Sequence, residues 1–296
     1  MNLQEVVAQA LAEDIGPLGD LTASLLPRKA TGDAVIVPRN DGVLAGCDAA
    51  HEAFAQVDTR IAVAWTSSDG DRVRAGDPVA RVVGPLASVL TAERTALNFL
   101  SHLSGIATLT RRYVDVAAGR AAIRDTRKTT PGLRALEKAA VRAGGGVNHR
   151  GNLSDGILVK DNHLGGMSIG DAVAAARRKW PGRTVQVECD DVEQLKQALN
   201  AGADLVLLDN MTPAEVHECV ELAEKRCLVE VSGGVSLATV GAYAATGADL
   251  IAIGALTHSA PTLDIGLDLV PSSPGGDGAP PSSPAPAGLG PRAGAG

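Results

Sequence analysis

The sequence predicts an α/β protein whose larger part is a parallel β/α barrel of seven strands, one short of the usual eight. Three observations carry this. From residue 121 onward a short apolar run ends in polar residues, a helical segment follows, and the unit repeats. Seven such runs stand at 121–126, 147–150, 156–160, 184–190, 203–210, 227–234 and 248–255, with VNHR at 147–150 the shortest. Between them LRALEKAAVRA, IGDAVAAARRKW, DVEQLKQALNAG, AEVHECVELAEK and LATVGAYAATG read as helices. Strands that alternate with helices need right-handed crossovers, and those build a parallel sheet. Asp190 with Glu193 reads as a capping box opening one of these helices.

The part before residue 121 has a different rhythm. Residues 1–26 read as a helix that becomes irregular. Residues 31–85 read as short strands, AVIVP, IAVAWT and DRVRAGDPVARVVG, bounded by Gly and Asp turns. Over 86–118 Leu90, Leu97, Leu100, Leu103, Ile106 and Leu109 recur at helical spacing, giving one helix, or two with a break at Gly105. At the other end, residues 271–296 (PSSPGGDGAPPSSPAPAGLGPRAGAG) hold too little apolar surface to offset ordering entropy and read as a disordered tail.

Composition excludes several classes. Aromatic residues are only 2% of the chain, so its cores must be built from Ala, Val, Leu and Ile. No apolar run approaches the roughly 20 residues a membrane helix needs. The N-terminus has no basic patch followed by an apolar core, and a cytoplasmic protein is expected. Cys47, Cys189, Cys219 and Cys227 have neither metal-ligand nor CxxC spacing and read as reduced thiols. A net charge of −7 without a basic stripe interleaved with aromatics argues against a nucleic-acid partner.

Against that acidic background, residues 124–163 carry eight Lys and Arg against four Asp and Glu, a local +4. A small ligand with several negative charges accounts for such an island. The working face of a β/α barrel is the C-terminal end of its strands. There the chain places Thr126, Arg127 and Lys128, then His149 and Arg150, then Lys160, Glu188, Asp209, Ser232–Gly234 and Gly254. Cations come from the first strands and carboxylates from the next two, and glycines suited to phosphate close the set. Arg127, Arg150 and Lys160 suit carboxylates or phosphates. An ion pair of Lys160 with Asp155 or Asp161 is the plainer alternative. Glu188 and Asp209 have the hard oxygens that Mg²⁺ takes, directly or through water, and equally suit a developing cation or ribose hydroxyls. Arg134, Lys138 and Arg142 fall on the intervening helix and read as solvated or paired. His149 and His163 are candidates to touch ligand, whereas His51, His102, His217 and His258 read as structural.

Several segments resemble the quinolinate phosphoribosyltransferase family. They are EDIGPLGDLTASLL (13–26), ERTALNFLSHLSGIAT (93–108), DTRKTTPGLRALEKAAVRAGGGVNHRGNLSDGILVKDNH (125–163), VECDD (187–191), DLVLLDNM (204–211) and EVSGG (230–234). The resemblance implies an N-terminal α/β sandwich domain over 1–104, an incomplete seven-stranded, TIM-like barrel over 105–258, and a segment 259–270 that returns to the first domain. It implies a homodimer, with assembly beyond the dimer left open, in which Arg94 of the ERT segment enters the partner's site. By pattern alone Arg94 is a helix-surface charge.

The resemblance further assigns Arg94, Thr126, Arg127, Lys128, His149, Arg150 and Lys160 to quinolinate. It assigns Glu188, Asp209, Ser232, Gly233, Gly234, Ile253, Gly254 and Ala255 to phosphoribosyl pyrophosphate. Glu188 and Asp209 also face Mg²⁺, the implied cofactor, and the catalytic set is Lys128, Lys160, Glu188 and Asp209. The implied reaction gives nicotinate mononucleotide, pyrophosphate and CO₂, a step of NAD biosynthesis. Two alternatives use the same residues: a molybdenum-transport-associated paralogue of this fold, and a Schiff-base lyase with Lys160 as nucleophile. A carrier module, hinted at by a strand pair over 69–84, is excluded because Lys29 is the one lysine before Lys128 and does not lie at the hairpin tip.

Overall fold

The computed structural model of the chain describes residues 2–271. The tail expected over 271–296 therefore lies, from 272 on, outside the described residues. The N-terminal half opens with helix α1 (Leu3–Ile15), started by a capping box between Asn2 and Glu5. Strands β1 (Thr31–Pro38) and β2 (Gly42–Val43) follow, then helix α2 (Cys47–Val57), then β3 (Ala62–Trp65), β4 (Arg72–Val73) and β5 (Ala80–Pro85). Helix α2 is absent from the strand reading of 31–85. Its buried face is mostly Ala (Ala49, Ala50, Ala53, with Phe54), too weakly apolar to stand out as a helical pattern. The stretch 69–84 is also not a strand pair. β4 pairs with β2, whereas β5 sits between β1 and β3 in another sheet.

Helix α3 runs unbroken over Leu86–Ala117. Gly105 is no break but a contact point: a Cβ there would sit 2.2 Å from the Pro261 carbonyl oxygen. The chain after the barrel crosses α3 at that glycine. It then forms β12 (Ile265–Leu269), which pairs antiparallel with β1. Residues on the first half of α3, such as Leu97 and Leu100, belong to the N-terminal core. Those on the second half, such as Ile106 and Tyr113, belong to the barrel core. One rigid helix thus joins the two halves through a continuous apolar face.

The barrel is β6 (Ala122–Arg124), α4 (Arg134–Ala143), β7 (Ile157–Val159), α5 (Asp161–Leu164), α6 (Ile169–Lys179), β8 (Val185–Cys189) and α7 (Val192–Asn200). It continues through β9 (Leu205–Asp209), α8 (Pro213–Ala223), β10 (Leu228–Ser232), α9 (Val240–Ala244), β11 (Leu250–Ala252) and α10 (Ala255–His258). Among the described residues its sheet has six parallel strands in the order β6-β11-β10-β9-β8-β7. The seventh expected strand, 147–150, is reduced to a single parallel bridge between Val147 and Arg124. The barrel is therefore open between this segment and β7, where Arg150 Nη1 reaches across to the Gly156 carbonyl at 3.0 Å. The cap of α7 is Asp191, which accepts from the Gln194 N–H, and not Asp190, whose own N–H donates to the Gln194 side chain.

Candidate functional site

The C-terminal ends of the barrel strands converge on one cavity of about 670 Å³. Its cation-bearing wall comes from the loop after β6 and from the bridge segment, with Thr126, Arg127 and Lys128 beside His149 and Arg150. Thr126 also shapes its loop, because its hydroxyl accepts from the Lys128 N–H at 3.0 Å. The Lys128 carbonyl is fixed in turn by the Thr257 hydroxyl at 2.7 Å. Arg134 is paired and half-buried. Its guanidinium donates to Thr129 Oγ1 at 2.9 Å and to the Gly151 carbonyl at 3.1 Å, tying the two cation-bearing loops together.

Burial, and next the Arg127 charge, holds the Arg150 guanidinium below its ordinary range. Two guanidiniums that repel each other in a partly buried wall are stabilised by an anion between them. His149 is neutral at neutral pH. Burial first, then the charges of Arg124, Arg150 and Lys138, push its imidazole down to about 3. Its Nδ1 accepts from the Arg150 N–H at 2.7 Å, which leaves Nε2 to carry the proton.

Lys160, at the end of β7, pairs with Glu188 Oε2 at 2.5 Å and not with Asp155 or Asp161. This pair joins the cationic wall to the carboxylate wall. Asp209 ends the neighbouring strand β9 and faces the same cavity. His163 does not line the cavity; its Nδ1 accepts from the Lys160 N–H at 3.1 Å and steadies the turn.

Ser232, Gly233 and Gly234 close the opposite side, next to Ile253, Gly254 and Ala255. Gly233 has φ +95°, and a Cβ on it would fall 2.2 Å from Asn210 Oδ1, so only glycine fits. The helix read from Leu237 starts at Val240 as α9, and the glycine turn before it lines the cavity. Ile253–Ala255 does lie at a helix start, with Gly254 as the N-cap of α10.

Two polar lining residues were missed in the sequence. His258, read as structural, lines the cavity from α10 with Gly254 packed against its ring. Its spacing of four residues from Gly254 was the available signal, since i and i+4 share a helix face. Asn210 lines the cavity too and donates to Asp209 Oδ2 at 2.8 Å. Arg94 does not reach this cavity within its own chain. It is exposed on α3, with Glu93 as its nearest carboxylate at 4.0 Å.

The four thiols bring no chemistry here. Burial holds each above its ordinary range, and the Cys189 thiol is pushed up to about 12. Among the described residues no three His, Cys, Asp or Glu side chains cluster as a metal cage. Two carboxylates facing one cavity are nonetheless the usual protein share of a Mg²⁺ site, whose other ligands are waters and substrate phosphates. Glu188 and Asp209 fit that role.

Fold and site together define a barrel enzyme acting on small anionic molecules. The chain belongs to the quinolinate phosphoribosyl transferase family: residues 20–104 match the family's N-terminal domain and residues 106–268 its C-terminal domain. It is 44% identical over 276 residues to the carboxylating nicotinate-nucleotide pyrophosphorylase of Mycobacterium leprae, covering 90% of this chain and 96% of that one. It is 41% identical to a probable enzyme of the same name from Bacillus subtilis, covering 92% and 95%. The solved nicotinate-nucleotide pyrophosphorylase of Francisella tularensis superposes with a TM-score of 0.87 at 38% identity, covering 90% of this chain and 96% of that chain.

Proposed function

We propose that the protein transfers the phosphoribosyl group of phosphoribosyl pyrophosphate to quinolinate, with loss of the 2-carboxylate, giving nicotinate mononucleotide, pyrophosphate and CO₂. The observation that carries this reading is the division of one cavity into a cationic wall and a carboxylate-and-glycine wall. A pyridine with adjacent carboxylates is a dianion, and Arg127, Lys128, Arg150 and Lys160 supply the charge it needs. Neutral His149 lines that wall without adding to its charge, its Nε2 turned toward the buried Glu230 at 3.8 Å.

In the transfer, the quinolinate nitrogen forms a bond to the anomeric carbon as the bond to pyrophosphate breaks. The positive charge that develops on the ribose ring is stabilised by Glu188 and Asp209, held in place before the reaction. Mg²⁺, when bound at these carboxylates, supplies neutralisation of the departing pyrophosphate oxygens. The 5′-phosphate sits at Ser232–Gly234 and Ile253–Ala255, with His258 as a further donor. Once the nitrogen is ribosylated, the pyridinium accepts the electron pair released as the C2–carboxylate bond breaks, and C2 then takes a proton from solvent. No step needs a general base, in keeping with a histidine whose proton affinity is lowered first by burial and then by nearby cations.

The active assembly is a homodimer in which the partner's copy of Arg94 closes the quinolinate pocket. Its exposure on α3, outside its own cavity, supports this reading. No helix among the described residues is long and apolar enough to cross a membrane. We place the protein in the cytoplasm, although a Nicotiana tabacum relative 38% identical to it is named as mitochondrial. The test is turnover of quinolinate with phosphoribosyl pyrophosphate and Mg²⁺, and borohydride trapping with a carbonyl substrate should give no adduct on Lys160.

A further inference from the structure

Helix α4 carries Lys138 on its buried side, only 5% exposed, facing the fully buried Asp125. Their contact is a direct ion pair between Lys138 Nζ and Asp125 Oδ1. Neither residue lines the cavity. Replacing a buried ion pair by packed apolar side chains is often neutral or stabilising, so stability alone is a weak reason for this one. Its other hydrogen bonds supply a better reason. Asp125 Oδ1 accepts from the His149 N–H at 2.8 Å, and Lys138 Nζ donates to the His149 carbonyl at 3.0 Å. Asn148 Nδ2 donates both to Asp125 Oδ2 and to the Lys138 carbonyl, and Arg124 Nε donates to the Asn148 carbonyl at 3.2 Å.

The main chain at His149 is thus held by two side chains where a barrel strand would be held by its neighbours. An apolar pair could not replace them, because it would leave a part-buried N–H and C=O without these partners. The segment has one bridge to β6 and no ladder. Its last two side chains, His149 and Arg150, stand in the cationic wall.

We propose that Asp125 and Lys138 are positioning residues for the quinolinate half of the site. They set the main chain that presents His149 and Arg150, and they touch no substrate themselves. This rests on the quinolinate reading above.

The test compares Lys138→Met, the neutral double variant Lys138→Met/Asp125→Asn, and Asn148→Ala, each as the full chain. Lys138→Met should raise the KM for quinolinate on the order of tenfold or more, with that for phosphoribosyl pyrophosphate changing less than about twofold. The double variant should recover thermal stability, since no lone charge remains buried, yet keep the raised quinolinate KM because the bond to the His149 carbonyl is still missing. Asn148→Ala, at a half-buried position, should raise the same KM severalfold, and it decides the matter if Lys138→Met does not fold. The proposal falls if the quinolinate KM recovers in step with stability, if both KM values rise together, or if the quinolinate KM stays unchanged. Absence of wild-type turnover would overturn the quinolinate reading and this proposal with it, whereas turnover with unchanged variant KM values would overturn this proposal alone.

Discussion

The two walls of the cavity are built by different means. Glu188, Asp209 and Ser232 end strands β8, β9 and β10, each held on both sides by parallel ladders with continuous register. His149 and Arg150 stand on a segment with one bridge, held by Asp125, Lys138, Asn148 and Arg124 side chains. A ladder fixes strand ends through many equivalent backbone bonds and tolerates change in any one side chain. A side-chain clamp concentrates the same task in a few buried groups. The carboxylate-and-glycine wall should therefore be insensitive to substitutions outside it, and the cationic wall should be sensitive to buried residues outside the cavity.

The largest effects should come where the proposed partner subunit would meet the cationic wall. Lys160→Ala and Arg94→Ala should each be nearly inactive. An equimolar mixture allowed to exchange subunits should recover up to about a quarter of wild-type activity, because half the dimers are hybrids with one intact site. Activity that never returns on mixing would rule out the shared site. Next, Asp209→Asn should lower kcat by on the order of a hundredfold or more with little change in the KM for quinolinate, as loss of a preorganised charge predicts. A rise in KM with kcat unchanged would place Asp209 in ground-state binding.

The clamp offers a sharper contrast in stability. Lys138→Met strands a buried carboxylate and should cost about 3–5 kcal/mol in a denaturant titration. Ser232→Ala, at a laddered strand end, should cost no more than about 1 kcal/mol while raising the KM for phosphoribosyl pyrophosphate. Equal losses at the two positions would erase the distinction between the walls.

A further contrast lies in pH dependence. The folded pKa of His149 is depressed to about 3, below its unfolded value. Between those two values the unfolded chain holds a proton on this ring that the folded chain does not. Its contribution to stability is therefore complete above the unfolded pKa and is lost as pH falls toward 3. His149→Gln should make the fall of unfolding free energy with acid shallower by up to about 1.4 kcal/mol per pH unit in that window. Parallel profiles for the two proteins would show that the ring already titrates normally.

What could be read from the sequence divides along the same line. Strands such as Val185–Cys189 and Leu205–Asp209 announce themselves as apolar runs, and their last polar residue is then a site residue by position. The segment 147–150 could be placed at the cavity mouth but not understood. Nothing in VNHR says that its main chain is held by Asp125, twenty-four residues earlier in contact with the His149 N–H. Lys138 looked like one more charge on an amphipathic helix, and only the packing of α4 against the barrel shows it buried. Helix α2 was lost because an alanine face carries little periodic signal. His258 was lost because a one-turn helix carries almost none.

The central claim is that the divided cavity joins quinolinate to phosphoribosyl pyrophosphate. Its most direct measurement follows release of CO₂ from quinolinate labelled at the 2-carboxylate, with phosphoribosyl pyrophosphate and Mg²⁺, beside a parallel assay on nicotinate. Labelled CO₂ and nicotinate mononucleotide should appear together in equal amounts from quinolinate, and nicotinate should give no product. Turnover of nicotinate without turnover of quinolinate would contradict the claim.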